Sequence, residues 1–554
     1  MTNKEIAKTF QYLGNIMELH GENKFKIRSY HNAYIALRKL DRPLSEMDDS
    51  EIAGIKGVGK AITGKIRELL DSGRMETLEK YRSQTPEGVQ EMLNISGFGP
   101  KKILMVWKEL GAESIGELLY AVNENRLIEL KGFGQKTQED LRQKLEYYRK
   151  SKHKFHFATL EAEAEAILKA LREKLPATSI SLTGEMRRRC NVVNRIELLV
   201  GTNEDLEPIL PLAGIKVNKQ SENYFEGITT REFPVRIYMC KVEEFGSKLF
   251  RYTASKAFLE HFITTFPQQS FKELSQEKEV FTKVGLPYIA PELREQAWAL
   301  ELAREENLPK LIEKEDIKGV IHTHTTYSDG LHSLEDMVSH ARSLGYDYIG
   351  ITDHSQAAFY ANGLKPDRVL EQMAAIDVLN QQMAPFRIFK GIESDILNDG
   401  SLDYEEDILK QFDFIIASVH SNLRMEEAKA TQRIITAVEN PYTSIMGHPT
   451  GRLLLSRKGY LLDHMKVIDA CAANGVSIEL NANPYRLDLD WSWIPYALEK
   501  GVMISINPDA HSKEGMKDIH FGVLSARKGG LTAAQCLNAL DAEGFARAVK
   551  KNSM

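Results

Sequence analysis

Cysteine is scarce in this chain: four among 554 residues, Cys190, Cys240, Cys471 and Cys536, all far apart. That spacing excludes a disulfide framework and a thiolate zinc cluster. The four are expected as buried thiols in a reducing compartment. Long apolar runs are missing as well. None approaches the ~20 residues that cross a bilayer, and the opening MTNKEIAKTF has no apolar signal core. Neither a membrane span nor secretion is expected, which places the protein in the cytoplasm. With 42% apolar and 27% charged residues, nothing in the composition suits a collagen-like or disordered chain. Charge of one sign is also in short supply, the net being −6. Residues 1–150 hold 25 Lys+Arg against 22 Asp+Glu, and the rest 47 against 56. An acidic total of this kind does not exclude nucleic acid, because local patches decide binding.

What is present is length enough for three to five domains, at roughly 100–200 residues each. Residues 1–150 read as short helices broken by glycine turns, and one pattern returns three times: GIKGVGKAITGKI at 54–66, NISGFGPKKILMV at 94–106 and ELKGFGQKTQEDL at 129–141. Paired glycines free a tight turn whose backbone N–H groups face outward at a helix start, which makes an anion site. The candidate phosphate contacts are Gly57, Gly59, Lys60 and Lys65, then Gly97, Gly99, Lys101 and Lys102, then Gly132, Gly134, Lys131 and Lys136. Lysines around such turns add attraction that does not read sequence. A single Gly-x-Gly is equally a helix–helix turn; three in one context point to nucleic acid. Tyr30 and Tyr34 in YHNAY either touch that ligand or pack in the core.

Residues 151–290 look mixed, with a helix at LEAEAEAILKALREKL and strand-like runs at SISLTG, RIELLVG and VRIYMCKV. The charged stretch at 291–315 is expected to be a linker. From 316 the rhythm becomes strand–helix: GVIHTH, YIGITDH, RIFKGIES, FIIASVH, SIMGHP, VSIELNAN and MISINPDAH. Seven short apolar strands separated by helices favour a parallel βα barrel.

Ten of the 15 histidines lie beyond residue 316, and most end a strand. His322 and His324 end the first, with Asp329 in the next loop. His354, Glu393, His420 and His448 end the following four, Asn481 and Asn483 the sixth, Asp509 and His511 the seventh. The C-terminal strand ends of a βα barrel converge on one face. Six imidazoles and three carboxylates there exceed the needs of one ion and suit two or three borderline divalent metals, zinc, manganese or iron. Clustered ions of this kind hydrolyse phosphate esters. Any one of these histidines alone is as readily a core residue, and His332, His340, His464 and His520, away from strand ends, are read as surface or core. Asn481 is a support for the ligands, a substrate contact or, as readily, an ordinary structural residue.

HTHTTYSDG, ITDHS, GIESD, SVHS, MGHP and PDAHS resemble, in order, the motifs of the polymerase-and-histidinol-phosphatase (PHP) phosphoesterase domain, over about 316–554. The resemblance implies a distorted (β/α)7 barrel holding three ions. His322, His324, Glu393 and Asp509 would hold the first and be the catalytic set; Glu393 would bridge to a second with His420 and His448; Asp329, His354 and His511 would hold the third. Val320 departs from an acidic residue common before the first strand end. Arg486 in NANPYRLD is a candidate phosphate contact or a surface cation.

The three glycine turns resemble helix-hairpin-helix DNA-binding motifs. The whole order is similar to the bacterial and archaeal family X DNA polymerases with a C-terminal PHP domain. The fold class implied is multidomain: all-α helix-hairpin-helix domains, an α+β nucleotidyltransferase-like palm and the barrel. Residues 1–80 would be a lyase-like domain, 81–150 fingers, 151–255 palm, 256–290 thumb and 316–554 the PHP domain. By that resemblance the palm's three metal-binding acids fall on Arg195, Glu197 and Arg236. Arginine is effectively never deprotonated and repels magnesium, so no magnesium is expected there. The family's Gly-Ser phosphate loop reads Gly184-Glu185, while Arg187 and Arg188 remain. Lys65 aligns with the Schiff-base lysine of the lyase domain, or is a phosphate-binding or solvated helix lysine. The expectation is a metal-dependent 3′–5′ exonuclease acting on gapped, recessed or damaged DNA ends, with abasic-site or 3′-phosphate cleavage as further activities and polymerase activity lost. Its rivals are an active gap-filling polymerase, a non-catalytic DNA-end scaffold and a small-molecule phosphatase.

Overall fold

The computed structural model describes residues 1–38, 40, 42–95, 97–150, 154–267 and 271–550; of Lys4 and residues 146–150 it describes the backbone alone. Residues 151–153 of the expected palm and 268–270 of the expected thumb therefore lie outside the described residues. The chain divides into two units, 1–148 and 149–554.

The first unit is helical: α1 (Asn3–Leu19), α2 (Lys24–Leu37), α3 (Asp49–Ala53), α4 (Lys60–Ser72), α5 (Glu76–Ser83), α6 (Glu87–Met92), α7 (Pro100–Glu109), α8 (Ile115–Asn123) and α9 (Gln135–Lys150). A Thr2–Glu5 capping box starts α1. Its Ile6, Phe10, Leu13 and Met17, spaced to share one face, are buried, as an amphipathic helix requires. The three glycine repeats fold alike. The N–H of Val58, Phe98 and Phe133 donates to the carbonyl three residues back, at 2.9, 3.1 and 3.0 Å. The glycine before each takes a positive φ, +95° at Gly57, +76° at Gly97 and +89° at Gly132, a region open to glycine. Each central apolar residue plugs into the core.

The second unit opens with a short antiparallel pair, β1 (Phe155–His156) and β3 (Val192–Val193). Its first sheet combines β2 (Ser179–Leu182), β4 (Ile196–Gly201), β5 (Ile215–Ser221), β6 (Tyr224–Thr229) and β7 (Pro234–Cys240) in the order β2-β4-β7-β6-β5. The pair β4–β7 is parallel and the other pairs antiparallel. Helix α10 (Phe157–Lys174) covers one face through Leu160, Ala164, Ile167 and Leu171. Helices α11 (Gly184–Arg187), α12 (Phe245–Thr253), α13 (Lys256–Thr265) and α14 (Lys278–Thr282) follow, and Phe250, Phe258, Phe262 and Phe281 from the last three form a separate core.

Residues 291–315, expected as a linker, are packed instead. Helix α15 (Trp298–Arg304) sends Ala299, Leu300 and Ala303 into that phenylalanine core, and the Ile312 N–H bonds the Leu531 carbonyl at 2.9 Å.

An ion cluster joins α11 to this core. Arg294, fully buried, and Arg187 both donate to Glu277 Oε1 at 2.6 Å, and Tyr288 donates to Oε2 at 2.8 Å. Burial would raise the Glu277 carboxyl, but Arg187 and Arg294 outweigh it and hold it at about 2. The stabilisation is therefore complete above about 4.5 and is lost as pH falls through about 2. Glu277→Gln leaves two guanidinium groups without a counter-charge and should cost about 3–5 kcal/mol at neutral pH. Urea unfolding of wild type and variant should show that gap near neutrality, narrowing as the medium is acidified towards pH 2.

The remaining chain is a barrel. Its strands β8 (Gly319–Thr323), β9 (Tyr348–Ile351), β10 (Arg387–Asp395), β11 (Phe414–Ser418), β12 (Ile445–Met446), β13 (Ser477–Asn481) and β14 (Ile504–Asn507) lie in sequence order and are all parallel. The ring closes where Ala510, just past β14, bridges Thr323. Helices α16 (Leu334–Ser343), α17 (Pro366–Met383), α18 (Glu406–Leu409), α19 (Glu427–Val438), α20 (His464–Asn474), α21 (Ile494–Glu499) and α22 (Ile519–Lys528) follow the strands in turn. Outward side chains such as Ile349, Ile392 and Ile478 pack against them. Inward ones, Ile321, Tyr348, Phe389 and Phe414, close on Phe545 of α23 (Ala542–Val549) and plug the lower lumen. Gly350 and Gly391 make room, since a Cβ at either would lie 2.6 or 2.5 Å from the Phe414 ring. Above that plug the lumen is polar.

Candidate metal centre

Alternation along β10 sends Phe389, Gly391 and Glu393 inward, so Glu393 stands directly above the aromatic plug. On β8 alternation alone would send His322 outward with Val320, which packs in the outer core. A register break between Val320 and Thr323 and a φ of +62° at His322 turn the imidazole into the mouth. Bulges re-aim side chains next to active sites in this way. Asp509 also has a positive φ, +52°, and strained backbone of this sort marks functional positions.

All nine side chains expected at the strand ends come together here. Glu393, 1% exposed, is the hub. Its Oε1 lies 3.2, 3.1 and 3.0 Å from Nε2 of His322, His420 and His448, and its Oε2 lies 2.9 Å from His354 Nδ1. Asp509 Oδ1 lies 3.1 Å from His324 Nε2 and 3.5 Å from His322 Nε2. Asp329 Oδ1 faces Nε2 of His511 at 3.3 Å and of His354 at 3.6 Å. Four groupings bring donor atoms within 4.8 Å of one another: His324–Asp329–His354–His511, His322–Glu393–His448, His322–His324–Asp509 and His354–Glu393–His420. His324 thus stands with Asp329, His354 and His511 as well as with His322 and Asp509.

Electrostatics sort these groups into metal-binding forms. Burial would raise the Glu393 carboxyl, but His420, His322 and His354 outweigh it and hold it well below the carboxylate range. Asp509 and Asp329 are held low against their burial by His322 and His511, respectively. Burial, with His511 and His354 beside it, pushes His324 down to about 4. The three carboxylates are thereby held ionised and His324 neutral, the states that bind metal. Against their burial, Glu479, Asp509 and Glu393 raise His322, and Glu393 and Asp395 raise His420 to about 10, so these two imidazoles must lose a proton to take an ion. Several buried atoms aimed into the mouth, among them His322 Nε2, His354 Nε2 and Glu393 Oε2, make no hydrogen bond among the described residues. Orphaned buried donors and acceptors demand an explanation, and divalent ions satisfy them with the nitrogen and oxygen donors present.

The sequence reading missed the groups behind the ligands. Glu479, fully buried on β13, receives four donors: His322 Nδ1 at 2.6 Å, Asn507 Nδ2 at 2.8 Å, Asn481 Nδ2 at 3.1 Å and the His448 N–H at 3.2 Å. Its bond fixes the His322 tautomer and leaves Nε2 for a metal. Asn481 also donates to Asp509 Oδ2 at 3.1 Å, so it stands behind two of the candidate ligands, His322 through Glu479 and Asp509 directly. Asp395 stands behind His420 at 3.1 Å. Asp353 accepts from the N–H of Thr325 at 2.8 Å and from Gln372 at 2.5 Å, fixing the loop between His324 and Asp329. An acid inside an otherwise apolar inward-alternating strand, as in VSIELN, was the available signal.

Arg486, 5% exposed, lies beside the centre with Nε 3.7 Å from Asp509 Oδ2. His464 stacks on Trp493 at 4.6 Å, and His520 meets Glu161 at 2.9 Å.

In the first unit, space beyond Gly59, Gly99 and Gly134 is open, with nothing within 4 Å of an added Cβ. Lys60, Lys101, Lys131 and Lys136 are exposed around them. Lys102 lies over the Phe133 ring at 5.4 Å. Lys65 donates to Thr77 Oγ1 at 2.5 Å. Tyr30 packs in the core, stacked on Phe10.

Comparison with known proteins agrees with this layout. A helix-hairpin-helix domain model matches residues 1–75, a SAM-like helix-hairpin-helix tandem 89–146, and a PHP domain 321–482. The DNA polymerase/3′-5′ exonuclease PolX of Bacillus subtilis (strain 168) is 35% identical over a 573-residue alignment that spans all of both chains. This chain belongs to the family X DNA polymerases that carry a PHP domain. The barrel is also similar to smaller proteins. A probable phosphatase of Acetivibrio thermocellus is 30% identical over 34% of this chain and 78% of its own, and one of Thermoanaerobacter sp. (strain X514) is 30% identical over 40% and 91%.

Within this family X chain, two of the three positions expected in the palm sit on adjacent strands, Glu197 of β4 paired with Arg236 of β7, and Arg195 stands just before β4. Arg195 donates to Glu226 Oε1 at 3.2 Å, and Arg236 donates to the same oxygen through Nε at 2.9 Å. Tyr238 donates to Glu197 Oε1 at 3.1 Å. The other Glu197 oxygen lies 2.0 Å from where a Cβ on Gly184 would start. Arg187 and Arg188 are engaged internally, with Glu277 and Glu295. Among the described residues, no metal-type grouping forms in this sheet.

Proposed function

We propose that the protein is a DNA 3′–5′ exonuclease whose hydrolytic site is the barrel mouth, and that its palm no longer transfers nucleotides. The observation that carries the first part is the nine-residue cluster around Glu393, with its orphaned buried atoms. Divalent ions, manganese or zinc with iron also fitting, would be held as three by His322, His324, Asp329, His354, Glu393, His420, His448, Asp509 and His511. Such ions supply activated water and charge stabilisation for phosphodiester cleavage. Glu479 orients His322, and Arg486 is placed to meet the substrate phosphate beside Asp509. The family relationship to a protein named DNA polymerase/3′-5′ exonuclease supports DNA as substrate. Gapped, recessed or damaged ends fit a chain with hairpins that hold backbone phosphates without reading bases. Four free cysteines fit a cytoplasmic setting.

Loss of polymerisation is supported by the palm. Arg195 and Arg236 compete for Glu226, Glu197 is the one acid among the three positions, and Arg187 and Arg188 are engaged elsewhere. A second reading, removal of a 3′-phosphate, is favoured by the likeness of the barrel to probable phosphatases. Release of phosphate from a 3′-phosphorylated oligonucleotide tests it.

Digestion of a 5′-labelled strand by manganese-loaded protein tests the main reading. Successive shortening that stops on chelation and resumes with manganese is expected. DNA binding without any shortening would overturn it. For the hairpins, Lys60→Ala, Lys101→Ala and Lys136→Ala should each weaken binding equally across sequences. Each should lower the slope of log affinity against log salt by about 1, measured by fluorescence anisotropy in a salt series.

A further inference from the structure

The loop after His354 carries an aromatic that the cluster does not use. Phe359 is 86% exposed, although the loop that presents it is tightly tied. The Leu364 N–H bonds the His354 carbonyl at 2.8 Å, and Gly363 bonds Ala358 at 3.1 Å. Asp403 accepts from the Ala357 N–H at 2.5 Å, and its carbonyl accepts from Gln356 Nε2 at 2.9 Å. Asn362 reaches the Tyr327 carbonyl at 3.2 Å. Three rings lead outward from the cluster: Tyr360 lies 6.5 Å from His354, and Phe359 lies 6.0 Å from Tyr360, edge to face. A lone exposed apolar residue needs no explanation. One presented by a tied loop, at the end of a ring series that begins on a residue of the cluster, is placed for a ligand.

The geometry points to Phe359 as a stacking platform for the base of the 3′-terminal nucleotide, with Tyr360 as the wall between that base and His354. This rests on the DNA reading above. The ring series leads outward from the cluster in two steps, 6.5 Å from His354 to Tyr360 and 6.0 Å from Tyr360 to Phe359, so a strand end whose phosphodiester lies at the cluster can lay its terminal base along it. Every base has a π-face, so such a platform holds an end without reading its sequence. An aromatic side chain has only two χ angles to fix, so it loses little freedom on binding.

The test compares two 5′-labelled strands, one ending in a normal 3′ nucleotide and one in a stable abasic residue, with wild type, Phe359→Ala and Phe359→Trp, all loaded with manganese. The ratio of kcat/KM for the normal over the abasic end should fall roughly ten-fold in Phe359→Ala, mainly through KM, and return in Phe359→Trp. Position 359 is solvent-exposed, so both variants should fold, and circular dichroism checks this. An unchanged ratio in Phe359→Ala, with wild type digesting the normal end, overturns the platform alone. Wild type that digests neither strand overturns the DNA reading, and the platform with it.

Discussion

Glu393→Gln should lower exonuclease turnover by at least about 10³-fold, because it removes the charge at the hub of the cluster, the carboxylate that would bridge two of the ions. Metal clusters contribute several kcal/mol of transition-state stabilisation, and each 1.36 kcal/mol is a factor of ten. Four imidazoles lie within 3.2 Å of this carboxylate, those of His322, His354, His420 and His448. A neutral amide keeps the volume but offers one acceptor atom in place of two. Bound manganese, counted by atomic absorption after dialysis, should fall in step with activity. DNA binding by the hairpins should persist. Full activity in Glu393→Gln would mean that hydrolysis happens elsewhere.

Glu479→Gln should weaken metal binding or turnover by about 10–100-fold, the usual cost of losing a group that orients a ligand. Glutamine is a poor substitute for a specific reason. The four groups around Glu479 all donate: His322 Nδ1, Asn507, Asn481 and the His448 N–H. Only an ionised carboxylate accepts all of them. An amide turns one oxygen into a fifth donor and frees His322 to change tautomer. Titration with manganese, followed by activity, reads the loss. Unchanged affinity would show that His322 is held by its backbone alone.

The barrel and the nine side chains gathered at its mouth were legible because their signal is local. Each strand of the PHP domain is a short apolar run with its functional residue at or close to its C-terminal end, so HTH, ITDH, GIES and SVH carry fold and chemistry together. Glu479 escaped because its role depends on which way the barrel faces, and one acid between Ile478 and Leu480 looks like an exposed strand position. The linker escaped for the opposite reason: its charged surface hid Ala299, Leu300 and Ala303, which recur at helical spacing. Strands β5 and β6 were not read because KVNKQSENYFEGIT alternates toward solvent and carries charge. Gly350 and Gly391 serve Phe414, which is distant in sequence, so no local pattern showed their purpose. In the palm, the sequence showed where Arg195 and Arg236 stand. That Glu226 receives both required the register of β6 against β7.

Hydrolysis in the barrel, by a chain whose palm does not polymerise, can be separated from nucleotide addition in one experiment. It is tested most directly on a 5′-labelled recessed primer–template with manganese, with and without all four dNTPs, comparing wild type with Glu393→Gln on a denaturing gel. Shortening by wild type is expected in both conditions, and an unaltered primer with Glu393→Gln even when dNTPs are present. Extension of the primer by Glu393→Gln would contradict it, and would restore nucleotidyl transfer to the palm despite Arg195 and Arg236.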